Sequence, residues 1–254
     1  MKPFTGIWLF DHQRSPHGTQ TNPILDRCAI VPAGEALQFH IRSQAEGQPP
    51  QRAHFSAIPD GQPRDLSGGR VLVCAVPTPS VLVTEIRQGP ATLHVARREV
   101  AGNTMTVHES TPGQQPTVSV YHRCPIKQVI VYRRDLKMRK GKIAAQVAHA
   151  AMRVLLQRGD AAGDAMQIAL TPAMSLWVQG RFTKVVLSVE SEADLLKIHQ
   201  TAKERGVPTA LITDSGKTEF GGVPTRTTVA IGPATADEID PITGRDGVVA
   251  TKLA

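Results

Sequence analysis

The sequence predicts an α/β protein in which a β-rich N-terminal domain precedes a domain of alternating strands and helices. Residues 1–122 contain only short apolar or alternating runs, separated by Pro, Gly, Asn and Gln. After Pro125, similar runs alternate with segments of helical periodicity. A length of 254 residues suits two ordinary domains. We therefore expect domains at residues 1–122 and 126–254, with the boundary near residues 123–125.

The composition favours a globular protein of a reducing compartment. Hydrophobic residues make up 41% of the chain, enough for packed cores, and aromatic residues only 4%, so those cores must be aliphatic. The three cysteines are far apart and form no Cys-x-x-Cys pair, which argues against a disulfide scaffold. The apolar run near the N-terminus is too short for a signal peptide, and no run approaches the ~18 apolar residues of a membrane span. We expect a cytoplasmic location and no membrane partner.

Short strands dominate the predicted N-terminal domain. The apolar or alternating runs lie at residues 5–10, 28–31, 36–41, 71–76, 80–86, 92–96, 104–107 and 117–122. Their regular spacing between turn residues is typical of a β-sandwich or barrel. Residues 43–69 are rich in Gln, Gly, Pro and Arg, and we expect loops there.

The predicted C-terminal domain alternates four strands with four helices. The strands are expected at residues 128–132, 184–189, 210–213 and 227–231, and the helices at 142–157, 165–178, 192–205 and 234–239. Pro172 should bend or break the second helix, whereas Ser191 is a plausible N-cap and Gly206 a plausible C-cap residue of the third. This order of elements predicts an α/β layer fold with a mixed sheet.

The positive charge is concentrated in one loop. The chain carries a net charge of +7, and its calculated pI is about 9.6. Residues 1–125 contribute +2 and residues 126–254 contribute +5. Within residues 127–142 one acid, Asp135, accompanies seven basic residues: Lys127, Arg133, Arg134, Lys137, Arg139, Lys140 and Lys142. Because residues 133–142 form a basic loop that leads into a helix, we expect the loop to attract phosphates.

A polar stripe continues from the basic loop along the predicted helix. Lys142, Gln146, His149 and Arg153 follow one another at spacings that place them on one helical face. This stripe is a candidate binding surface. The alternative is an ordinary solvated helix face with basic residues near its start.

A carboxylate follows the predicted strand 210–213. Ligands of α/β sheets gather at the carboxyl ends of strands, so Asp214 is a candidate functional group. The alternative is a turn residue that caps its own backbone. The following Gly-Lys-Thr is not a P-loop, because Leu211 stands where that motif needs its first glycine. The threonines near residue 227 have either a strand-forming role or a role in holding water or phosphate.

Taken together, these segments resemble the type II peptidyl-tRNA hydrolases. The resemblance covers residues 126–246 in the same order and at similar spacing, about half of the chain. It rests on the basic loop with its Lys-Gly-Lys, on Ala-Ala-Gln-Val-Ala-His-Ala at 144–150, on Asp-Ser-Gly-Lys-Thr at 214–218, on Ile-Gly-Pro at 231–233 and on Asp-Pro-Ile-Thr-Gly at 240–244.

The resemblance implies hydrolysis of the ester between a peptide and the 3′ ribose of tRNA. It also implies a three-layer α/β/α domain with a four-stranded mixed sheet, no metal or other cofactor, and a homodimer. The family's catalytic positions correspond to Lys142, Asp214, Thr218 and Thr227. We place the contacts to peptidyl-tRNA on the basic loop, the helical stripe and the turn, at Arg134, Lys137, Arg139, Lys140, Gln146, His149 and Lys217.

Four features depart from the family pattern. Arg139 replaces a usual Gly, Ser215 replaces a usual Ala, and the loop 219–224 is one residue longer. The end of the chain, residues 247–254, also lacks the family's Leu-rich ending.

Other functions are less consistent with the motifs. A Ser-His-Asp triad would use His149 and Ser215, but no Gly-x-Ser-x-Gly elbow surrounds Ser215. No cysteine lies in these motifs, which argues against a thiol nucleophile. A non-catalytic adaptor that binds tRNA or protein is the main alternative.

The N-terminal domain resembles no family. It contains seven of the nine histidines, but their spacing does not favour a metal site. It could recruit substrate, mediate oligomerisation or act as a second enzyme.

Overall fold

A computed structural model describes residues 3–15, 23–45 and 47–254. The chain divides into two compact units, Met1–Cys124 and Pro125–Ala254. Among the described residues, no helix combines the length and the apolar character needed to cross a membrane.

The N-terminal unit consists of antiparallel strands in one curled sheet. The strands are β1 (Gly6–Phe10), β2 (Pro23–Ala33), β3 (Ala36–Ala45), β4 (Gln51–Ala57), β5 (Asp60–Leu66), β6 (Arg70–Thr78), β7 (Val81–Gln88), β8 (Ala91–Ala101), β9 (Thr104–Ser110) and β10 (Thr117–Cys124). Their order in the sheet is β4-β3-β2-β1-β10-β9-β8-β7-β6-β5. Neighbours in sequence are therefore neighbours in space, except where β1 pairs with β10.

One face of this sheet lines a single core. Alternate residues point into it, as in β1, where Trp8 and Phe10 belong to the core cluster. The largest fully buried side chains there include Phe4, Trp8 and Phe39. Strands overlap all eight of the predicted runs that fall in this unit.

The prediction of loops at residues 43–69 is wrong. Strands β4 and β5 occupy most of that segment, yet nearly all their residues are exposed or half-buried. Because they bury so little, they show no apolar alternation that a sequence could reveal. Strand β5 lies at one end of the sheet, beside β6. Pro63 has no backbone N–H to donate, and at this edge no strand on the other side needs one.

The C-terminal unit alternates strands and helices. Its strands are β11 (Ile126–Arg133), β12 (Gly159–Ala162), β13 (Ala165–Ile168), β14 (Lys184–Val189), β15 (Thr209–Asp214), β16 (Thr225–Thr235) and β17 (Lys252–Leu253). Its helices are α1 (Lys140–Leu156), α2 (Pro172–Gln179), α3 (Glu192–Glu204) and α4 (Ala236–Thr243). The main sheet has the order β15-β16-β11-β14-β17, and it is mixed because only β11 and β14 run parallel.

Helices cover both faces of this sheet. Ile130 of β11 packs with Ala150 and Val154 of α1, whereas its neighbours Val129 and Val131 pack with residues of α3 and α4. The expected α/β architecture with a mixed sheet is confirmed. The sheet has five strands where four were expected, since the two-residue β17 pairs with β14.

The predicted helix 165–178 is wrong in its first half. Residues 159–168 form the two-stranded hairpin of β12 and β13, and the helix begins only at Pro172. The hydroxyl of Thr171 caps it by accepting from the backbone N–H of Met174. Proline at the first helical position loses no helical hydrogen bond, so it starts this helix rather than bending it.

Candidate active site

Asp214 ends β15 and begins a tight turn. One of its carboxylate oxygens, Oδ1, accepts from the backbone N–H of Gly216 at 2.9 Å. Gly216 has a φ of +80°, and a Cβ there would lie 2.2 Å from the carbonyl oxygen of Val223. Only glycine fits this close approach. The capping role considered for Asp214 is therefore confirmed for one of its oxygens.

The second oxygen of Asp214 faces α1. Oδ2 accepts from Lys142 Nζ at 2.6 Å and from Gln146 Nε2 at 2.8 Å. The Lys142 ammonium is the main cause that lowers the pKa of Asp214 from its usual value, with further lowering by the Gly216 N–H and Gln146. The carboxylate is thus ionised at neutral pH.

Lys142 connects Asp214 to the loop that follows β15. Its Nζ also donates to Thr218 Oγ1 at 2.9 Å and lies 5.6 Å from the centre of the Phe220 ring. The Lys142 side chain is only 12% exposed, so its charge acts in a partly desolvated setting. The structure therefore brings together three of the four predicted catalytic residues.

The fourth predicted catalytic residue, Thr227, lies behind this group. Its side chain is fully buried in β16, and its hydroxyl donates to Gln146 Oε1 at 2.5 Å. Gln146 is itself 2% exposed, so its amide is held between Thr227 and Asp214. Helical spacing placed Gln146 on the tRNA surface, but its contacts place it inside the site. We call Lys142, Gln146, Asp214, Thr218 and Thr227 the Asp214 cluster.

The predicted tRNA contacts other than Gln146 surround the cluster at the surface. Arg134, Lys137, Arg139, Lys140, His149 and Lys217 are all exposed. Two of them have acidic neighbours: Arg139 Nε is 2.7 Å from Glu219 Oε1, and Arg134 Nη1 is 3.8 Å from Glu190 Oε1. The charge offered to a polyanion is thus reduced at these two positions.

Three residues of the site were missed at the sequence level. They are Gly216, which donates to Asp214, Glu219, which pairs with Arg139, and Phe220, which lies beside Lys142. The Asp-x-Gly spacing is a turn signal that could have indicated the first. Nothing in the sequence indicates the other two, because a loop positions them.

The arrangement is suited to water-dependent cleavage of an ester. An ionised carboxylate and an ammonium lie within hydrogen-bonding distance, and a hydroxyl completes the group. Among the described residues, no hydrogen bond joins Ser215 to His149, which gives no support to a triad. The three cysteines are buried in the other unit, outside this site, and burial raises the pKa of Cys28 to about 12.

Known proteins match the unit that holds this site. The family model for "Peptidyl-tRNA hydrolase PTH2" matches residues 126–245. The peptidyl-tRNA hydrolase of Methanopyrus kandleri is 40% identical over 118 residues, which are 46% of this chain and 93% of that protein. The peptidyl-tRNA hydrolase of Staphylothermus marinus is 43% identical over 118 residues, 46% of this chain and 90% of that protein.

Two further comparisons concern an animal protein and a solved structure. The probable peptidyl-tRNA hydrolase 2 of Drosophila melanogaster is 40% identical over 119 residues, 46% of this chain and 59% of that protein. The wild-type fluorescent protein UnaG is 17% identical and covers 48% of this chain and 98% of that chain. Its TM-score of 0.35 is too low to identify a fold.

The Methanopyrus and Staphylothermus relatives consist almost entirely of the matched region, and that region of this chain contains every residue of the Asp214 cluster. The chain therefore belongs, through residues 126–245, to the peptidyl-tRNA hydrolase family PTH2.

Proposed function

We propose that the C-terminal unit hydrolyses the ester between a peptide, or an N-blocked amino acid, and the 3′ ribose of tRNA, and so releases free tRNA. The observation that carries this proposal is the junction of Lys142, Asp214 and Thr218 at the start of α1 and the end of β15. A binding adaptor would not need a partly buried ammonium–carboxylate pair of this kind. Family membership supports the same reaction.

In the proposed reaction, water attacks the ester carbonyl carbon. Asp214 accepts a hydrogen bond from the water and takes its proton as the new C–O bond forms. A carboxylate with a lowered pKa is a weak base, so its main contribution is to orient the water. Lys142 donates to the oxyanion that develops on the carbonyl oxygen. Collapse of the tetrahedral intermediate breaks the bond between the carbonyl carbon and the ribose oxygen. The ribose oxygen takes the proton back from Asp214 and leaves as the free hydroxyl of the tRNA.

The remaining cluster residues have different proposed roles. Thr218 lies at the exposed side of Lys142, where its hydroxyl can contact the substrate. Thr227 and Gln146 are buried, so we propose that they position Asp214 and do not touch the tRNA. Arg134, Lys137, Arg139, Lys140, His149 and Lys217 are proposed to bind the tRNA.

The test is release of tRNA from an N-blocked aminoacyl-tRNA. Removing a single group that stabilises the transition state costs about 100-fold or more in rate. We therefore expect Asp214→Asn and Lys142→Ala each to lower kcat/KM by at least about that factor. Lys197→Ala, on α3, removes the same kind of charge elsewhere and should have no effect.

Two outcomes would contradict this proposal. An inactive wild type would favour the adaptor function, and full activity in both variants would place the active site elsewhere.

We also propose an architecture and a setting for the reaction. Helices on both faces of the sheet support a three-layer α/β/α domain at residues 126–254, preceded by an accessory domain at 1–122. Widely spaced cysteines without a Cys-x-x-Cys pair and a tRNA substrate favour the cytoplasm, where translation takes place. We propose a homodimer from the resemblance described above, and sedimentation of the full chain tests it.

A further inference from the structure

The Asp214 cluster lies where two surface depressions meet. One, of about 550 Å³, is lined by polar and charged side chains such as Arg139, Lys142 and Thr218. The other, of about 650 Å³, runs between α1 and β15. Gln146, His149 and Asp214 line both. The proposed substrate also has two parts on either side of the reacting bond, since its ester joins a polyanion to a peptide.

The second depression has the character of a peptide site. Met152 and Leu156 of α1 line it and are 53% and 39% exposed, and Ile212 of β15 lies on the same face of the sheet. Polar residues such as Arg153 and Thr213 line the rest. Exposed apolar side chains gathered in a groove are typical of binding surfaces. Met152, Leu156, Ile212 and Asp214 define what we call the peptide groove.

The peptide groove also borders an edge strand. Strand β15 is at the end of the main sheet and pairs only with β16 among the described strands. An extended peptide can add to such an edge through its backbone, which gives affinity independent of side-chain identity. An enzyme that releases many different peptides needs recognition of this kind.

We propose that the peptide of peptidyl-tRNA lies extended in the peptide groove, alongside β15, while the tRNA approaches from the side of the basic loop. This inference rests on the proposed function. It assigns Met152 and Leu156 to peptide binding and determines the direction of the substrate across Asp214.

Binding of uncleavable analogues tests the proposal independently of catalysis. The probes are deacylated tRNA and the same tRNA that carries a five-residue apolar peptide through a 3′ amide. With wild-type full-length protein, we expect the peptide to tighten binding about tenfold, a modest gain for apolar contacts. Met152→Glu should remove most of this gain, because a carboxylate would border the apolar site.

Met166→Glu is the matched control. Met166 lies in the β12–β13 hairpin, is 50% exposed and does not line the groove, so the same change of charge should leave the gain intact. An analogue with N-methylated peptide amides should bind wild type less tightly than the unmethylated one. Equal binding of those two would overturn the assignment of backbone pairing to β15.

The groove assignment fails if wild type shows no gain from the peptide, or if Met152→Glu keeps it. It also fails if Met152→Glu instead changes the sedimentation of the protein, since the surface would then join two copies. If wild type binds the peptide-carrying analogue more tightly but does not hydrolyse N-blocked aminoacyl-tRNA, the proposed function is overturned and the groove assignment stands.

Discussion

At the scale of single residues, the two oxygens of Asp214 have separate partners. Oδ1 holds the turn through Gly216, and Oδ2 holds Lys142 and Gln146. A structural and a functional interpretation of this aspartate are therefore compatible. Because Thr227 orients the Gln146 amide, the position of the carboxylate depends on a hydroxyl that is itself fully buried.

The lowered pKa of Asp214 predicts a pH dependence of stability. A carboxyl whose pKa is lower in the folded than in the unfolded state adds stability that is complete above the unfolded pKa and is lost as the pH falls through the folded pKa. Its usual value is 3.8, and Lys142 is the main cause of the lowering. We expect the stability advantage of wild type over Asp214→Asn to be constant near neutral pH and to shrink below about pH 4.

Urea unfolding from about pH 7 down to about pH 3 measures this difference. In a Lys142→Ala background the pH-dependent part should be smaller, since the main cause of the lowering is gone. An advantage that grows as the pH falls would contradict the prediction.

At the scale of elements, α1 and the turn after β15 form the site together. Helix α1 supplies Lys142 and Gln146 from successive turns, and the loop after β15 supplies Thr218. No acidic residue lies in the first turn of α1, and the side chain of its N-cap residue Arg139 makes no capping hydrogen bond. The Glu219 carboxylate accepts from the backbone N–H of Arg139 at 3.4 Å, but among the described residues the N–H groups of the first turn itself stay open. The helix end therefore adds a partial positive charge beside the cluster.

The turn predicts unequal effects of two glycine substitutions. Gly216 and Gly221 both have positive φ, so alanine costs about 1–2 kcal/mol of backbone strain at either position. Only at Gly216 would the new Cβ meet backbone atoms, whereas at Gly221 nothing lies within 4 Å. We expect Gly216→Ala to be clearly more destabilising and to lower kcat/KM. Urea unfolding would measure the stability of each variant, and the hydrolysis assay its kcat/KM. Equal losses of stability in Gly216→Ala and Gly221→Ala would contradict a close approach of the backbone at Gly216.

At the scale of the whole molecule, the two units differ in charge and in buried polar groups. The excess positive charge lies mainly in residues 126–254. The N-terminal unit instead buries Arg98, which is 5% exposed, donates to Thr84 Oγ1 at 2.9 Å and lies 5.3 Å from the Phe39 ring centre. Burial raises the pKa of Asp26, which accepts from the Tyr121 hydroxyl at 2.8 Å.

The location of the charge predicts the salt dependence of tRNA binding. Each phosphate contact that is lost reduces the slope of log K against log salt by about 0.7–0.9. The double change Lys137→Glu and Lys140→Glu in the basic loop should remove two phosphate contacts, so the slope should become shallower by about 1.4–1.8. Lys197→Glu with Lys203→Glu alters the net charge equally on α3, which packs on the other face of the sheet. Fluorescence anisotropy at several salt concentrations would compare them, and equal slopes would show that only net charge matters.

The sequence by itself determined the elements with strong periodicity and the residues of the motifs. The family resemblance alone implied that Lys142 and Asp214 belong to one site. Periodicity and turn signals indicated α1, α3 with its Ser191 cap, the long buried strands, and Lys142 and Asp214 as separate candidates. These follow from local rules, because helical spacing, capping and turn chemistry involve residues close in the chain.

Only the tertiary structure decided how distant residues meet. Lys142 and Asp214 are 72 positions apart, and Thr227 lies 81 positions from Gln146. Whether Gln146 faces solvent or Asp214 depends on how α1 sits on the sheet, which helical periodicity cannot specify. The exposed strands β4 and β5 were missed for a related reason, since backbone pairing with β3 and β6 holds them in the sheet without an apolar pattern.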